Sequence, residues 1–175
     1  MNTTTNFSTY FAAWRDAIEQ NLNPAFQHTR NVSIADRLTA LHAWFDSDTE
    51  LKLLGVIPVG GPPVHSHEHR LVFAVPHLDR AALDDWWTYA QQVQKTLVQP
   101  DISHQFTWVS IVLICETADR AALSRLRWRS SEVTYHKPQN GWSSIRFAVI
   151  QKNSDKIVSN RAGAPLADLL RAAKP

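Results

Sequence analysis

From Phe7 the apolar residues recur at helical spacing. Phe7, Phe11, Trp14, Ile18 and Leu22 share one face, with Arg15, Asp16 and Glu19 among the intervening positions. The pattern predicts an amphipathic helix over 7–22. Asn23-Pro24 stops it, because the residue before a proline is pushed out of the helical region. Residues 32–58 admit two readings. Ile34, Leu38, Leu41 and Phe45 fit a helix capped by Ser33, with Asp36 three residues on. Leu38, Ala40, His42 and Trp44 alternate as a strand does. We prefer the hairpin, with Asp46-Ser47-Asp48 as its turn and ELKLLGVIPV as the returning strand. Gly60-Gly61-Pro62-Pro63 then marks a loop.

The pattern sharpens after that. LVFAV, residues 71–75, is a short apolar strand. The helix that follows opens at DRAAL, residues 79–83, where the Asp79 carboxylate can accept backbone N–H bonds and oppose the helix dipole. Leu83, Trp86, Trp87, Ala90, Val93 and Leu97 form its apolar stripe, and Pro100 closes it. The unit then recurs: WVSIVLIC at 108–115 is a wholly apolar strand, and DRAAL returns at 119–123. Two strand–Asp–helix units in succession imply at least one parallel strand pair. Residues 132–137 and 143–150 read as strands around an Asn140-Gly141 turn. KIVS follows a turn at Asp155, and Pro165 begins a last helix with Leu166, Leu169 and Leu170 on its apolar face.

The expected fold is therefore α/β, with α+β as the variant. It is one domain over 1–175, a mixed sheet flanked by helices in the order α-β-β-β-α-β-α-β-β-α. The length, 175 residues, suits one core that needs no staples. The single cysteine, Cys115, lies in an apolar run and reads as a small buried hydrophobe. Without a signal peptide, a disulfide framework or a membrane-length apolar run, the expected location is the cytoplasm. Seven tryptophans read mainly as core, Trp128 among them.

Charge divides the chain. Residues 1–118 hold 7 Lys/Arg against 12 Asp/Glu, a net of −5, whereas residues 119–175 hold 11 against 4, a net of +7. Arg120, Arg125, Arg127 and Arg129 cluster with Trp128, and Tyr135, Lys137, Trp142 and Arg146 follow. Cations pair with phosphates and aromatics stack on bases, so Arg125, Arg127, Arg129, Lys137 and Arg146 are candidates for binding nucleic acid or an acidic protein partner.

The other candidate chemistry is VHSHEHR, residues 64–70. In an extended segment His65, His67 and His69 point to one side. Three neutral imidazoles on one side suit a divalent metal, with His77, His104 or His136 as a distant ligand. The competing reading is a solvated loop before the strand, or a patch that titrates near neutrality. No glycine-rich phosphate loop, G-x-S-x-G or C-x-x-C is present.

Three resemblances bear on these residues. The tail from Leu126 onward, with Gly141-Trp142 and Asn160-Arg161-Ala162-Gly163, resembles an uncharacterised family of small bacterial proteins, which implies no particular activity. The element order is similar to the core of PD-(D/E)XK nucleases. That likeness implies a metal held by Asp48 and Glu68, with Arg70 where the family has its lysine. Arginine is not an equivalent base, which puts nuclease activity in doubt. Glu50-Leu51-Lys52 is a literal E-x-K, one strand early. GGPPVHSHEH resembles a first cupin motif but lacks its glutamate, since Leu71 and Val72 stand there. The sequence thus points first to a non-enzymatic or degenerate nuclease-like domain that binds through its basic C-terminal half. The alternative is a metal-dependent hydrolase using Asp48, Glu68 and His65, His67 and His69.

Overall fold

The apolar run at 108–115 is the middle of a 15-residue strand, β6 (His104–Ala118), at the heart of a mixed sheet. The computed structural model describes residues 6–49, 52–53, 57–58, 64–136 and 139–175. The other elements are α1 (Phe7–Gln20), β1 (Gln27–Ile34), β2 (Arg37–Thr49), β3 (Lys52–Leu53), β4 (Ile57–Pro58), β5 (Val64–Leu78), α2 (Arg80–Leu97), α3 (Arg120–Arg127), β7 (Glu132–Thr134), β8 (Trp142–Gln151), β9 (Lys156–Ser159) and α4 (Ala164–Ala172). The sheet runs β1-β2-β5-β6-β8-β7, with β9 also on β8 and a small β3-β4 pair apart. β5, β6 and β8 are parallel, and the flanking pairings are antiparallel. The order of main elements read from the sequence, and the mixed sheet, hold.

Alternation along the strands builds two cores. Leu71, Phe73 and Val75 of β5, with Val109, Ile111, Leu113 and Cys115 of β6, face α2 and α3. Val72, Val112, Ile114, Ala148 and Ile150 face Trp14 and Ile18 of α1 and Leu166 and Leu170 of α4. Each large side chain buried this way contributes about 1.5–3 kcal/mol. α2 starts where Asp79 accepts from the Ala82 N–H at 2.7 Å. Asp119 precedes α3 without a side-chain cap.

Several expectations need correction. No turn forms at Asp46-Ser47-Asp48: β2 continues to Thr49 along β5, while of ELKLLGVIPV the described residues 52–53 and 57–58 pair with each other and the rest lies outside the described residues. The hairpin turn lies at Ala35-Asp36, both at positive φ (46° and 67°), between β1 and β2. Neither residue is a glycine, so the usual signal was missing. The histidine run is strand, since β5 begins at Val64 and finds backbone partners on both sides. Trp128 is 88% exposed. Leu169, on the outer side of α4, is 53% exposed. Among the described residues no helix is long and apolar enough to cross a membrane.

Candidate functional site

β5 decides which candidate residues can work together. Its odd positions, His65, His67 and His69, lie on the α2 side with Leu71, while its even positions, Glu68 and Arg70, lie on the α1 side with Val72. The sheet therefore separates the histidines from Glu68. In the β2–β5 ladder, Asp48 stands opposite His65, and its side chain lies outside the described residues.

On the α2 side the histidines engage one another. His67 Nδ1 lies 2.6 Å from Asp46 Oδ1, and its ring stacks on His104 at 6.1 Å. His69 Nδ1 lies 3.2 Å from His42 Nε2, and His42 stacks on Trp44. Burial pushes both His42 and His69 down to about 4, so the two rings are neutral at pH 7. His104 Nδ1 meets the Asn140 carbonyl at 2.7 Å, which assigns it the proton. Its Nε2 then accepts from Thr107 Oγ1 at 2.8 Å. Among the described residues no three His, Cys, Asp or Glu side chains converge as metal ligands.

On the α1 side Glu68 serves two arginines. Arg70 Nη2 donates to Glu68 Oε1 at 2.9 Å, and Arg146 Nη1, from β8, lies 4.0 Å from Oε2. The register brings Arg70, Ser110 and Arg146 into one row across three strands. Arg146 lies over the Trp108 ring at 3.5 Å and Arg70 over Phe26 at 5.1 Å. Burial lowers the Arg146 pKa against the opposing pull of Glu68.

The remaining basic candidates scatter. Arg125 Nε donates to Asp84 Oδ1 at 2.9 Å, and Arg129 Nη2 also binds that oxygen. Hydrogen bonding from Arg125, with the charge of both arginines, holds the Asp84 carboxyl below its ordinary range. Lys137 lies outside the described residues. Arg127 instead lines a groove of about 570 Å³ between α3 and the β8–β9 hairpin, with Arg120 and Lys156. These three cations make no ion pair or hydrogen bond among the described residues, and the groove's described lining holds no acid.

A family model described as a domain of unknown function, DUF8052, matches residues 12–172. The chain belongs to the DUF8052 family. Neither the curated proteins nor the solved structures gave a match. Within this DUF8052 domain, sequence reasoning missed the exposure of Trp128, although the signal was there. Ala122 and Leu126, four apart, are the buried stripe of α3. Trp128 stands two positions past Leu126, about 200° around a helix of 3.6 residues per turn, and so points away from the core. Lys156 and Phe26 were missed too, because each meets its partners only through the fold.

Proposed function

We propose that this DUF8052 domain is a binding module that holds single-stranded nucleic acid along α3 and the β8–β9 hairpin. The observation that carries the reading is Trp128, an aromatic ring 88% exposed at the end of α3, next to Arg127, which is unpaired and lines the α3 groove. Indole faces stack on bases for about 1–3 kcal/mol per base, without regard to sequence. Arg120, Arg127 and Lys156 offer three phosphate contacts. The excess of +7 over residues 119–175 draws a polyanion to this half. The reading assigns no hydrolytic chemistry, since Glu68 is engaged by Arg70 and Arg146 on the face away from the histidines.

Fluorescence anisotropy of a labelled oligouridylate, titrated at several salt concentrations, tests it. Three contacts on a single strand give a log–log salt slope of roughly −2. Trp128→Ala should weaken binding about tenfold at every salt, while Lys156→Ala should flatten the slope by about 0.7. Absence of binding at low salt, or equal binding by Trp128→Ala, would sink the reading. If polyglutamate competes as well as RNA, the partner is an acidic protein instead.

A further inference from the structure

The two arginines on Glu68 raise a question that the α3 groove does not answer. Burying a charge is costly unless it is paired and fully hydrogen-bonded. Arg70 is 7% exposed, and Arg146 is also largely covered. They share one carboxylate, which leaves an excess of one positive charge. The Nε atoms of both arginines are buried without a hydrogen-bond partner. Buried orphan donors of this kind call for an explanation.

Arg70 and Glu68 form the floor of a cleft of about 380 Å³, within the range of small-molecule sites. Its walls come from the ends of α1 and α4 and the segment before β1: Ile18, Phe26, Leu169, Leu170 and Ala173 are apolar, and Asn21 and Asn23 add two polar groups. The carbonyl ends of the two helices offset part of the excess charge but bond neither Nε.

We propose that this cleft binds an apolar monocarboxylate, its carboxylate on Arg70 and its hydrocarbon body between α1 and α4. The charge balance selects a monoanion: one carboxylate closes the excess that Glu68 leaves. A guanidinium fork matches carboxylate geometry. The apolar walls exclude small hydrophilic acids, which would gain nothing from them. The site lies across the sheet from α3's buried stripe, so it stands or falls independently of nucleic-acid binding.

Isothermal titration calorimetry with octanoate and indole-3-acetate, against octanol as the neutral control, tests the proposal. At least one acid should bind saturably at one site, at least tenfold tighter than octanol. Arg70→Gln should weaken the acid at least tenfold and leave octanol unchanged. Where Arg70→Gln does not fold, the acid-to-alcohol ratio of the unaltered protein still tests the arginines. Leu169→Trp tests the walls, because that position is half exposed and the substitution only narrows the cleft; it should weaken the acid. Failure of both acids to bind, equal binding of acid and alcohol, or indifference to Leu169→Trp would overturn it.

Discussion

His42 and His69 share one hydrogen bond across the β2–β5 ladder, and their rings stack at 5.5 Å. The bond needs one donor and one acceptor, so the pair cannot take up two protons and keep it. Both rings have folded values of about 4 against an ordinary 6.5. As pH falls, the unfolded chain protonates first. Stability is therefore fully present above pH 6.5 and is lost as pH falls toward 4. We expect a loss on the order of 3 kcal/mol for the pair. Thermal melts between pH 7 and 5, a window above most carboxylate titration, should show a falling Tm. His42→Gln should flatten that fall, and an equal slope in the variant would exclude the pair as its source.

Asn160 ties four backbone groups together. Its Oδ1 accepts from the N–H of Phe147 and of Gly163, both at 2.9 Å, and its Nδ2 donates to the carbonyls of Ile145 (3.0 Å) and Arg129 (3.2 Å). The residue is buried, so truncation leaves these groups unsatisfied. We expect Asn160→Ala to cost about 3 kcal/mol in urea unfolding. A change below about 1 kcal/mol would mean that the neighbouring backbone finds other partners.

Gly141 sits at φ 69° in the turn between β7 and β8, pressed onto the start of β6. A Cβ there would collide with the carbonyl oxygens of Gln105 and His104. Two penalties combine, the left-handed conformation and the overlap. Gly141→Ala should destabilise by about 2 kcal/mol or more in the same denaturant series.

Asp84 neutralises Arg125 and Arg129 beside Trp128. Removing it should convert two paired cations into phosphate contacts. On the proposed function, Asp84→Ala should tighten oligouridylate binding and steepen the log–log salt slope by about 1.4. Weaker binding in a folded variant would mean that the acid holds the arginines in a working position.

Helices and central strands were legible because apolar periodicity and the two DRAAL starts are local signals. The β1–β2 turn was not legible, since Ala35 and Asp36 adopt positive φ without a glycine. Strand β5 looked a third as long as it is, because its first half carries polar side chains that only its neighbours make intelligible. Glu68, Arg70 and Arg146 were each marked by type, yet 68 and 146 meet only through the register of three strands. Asp84, the partner that takes Arg125 and Arg129 out of the basic set, lies 41 and 45 residues away in sequence.

β5 also joins two environments along one backbone. Over Leu71–Phe73 it is buried between two apolar cores, whereas from His65 to Arg70 it runs between a histidine layer and an open cleft. Local opening is cheapest where few apolar contacts cover the ladder. Deuterium should therefore enter the amides of 65–69 through small local fluctuations, and those of 71–73 only when the whole molecule comes apart. A ligand seated on Arg70 would slow the first set and leave the second to the global rate, so the exchange pattern along this single strand reports occupancy of the cleft.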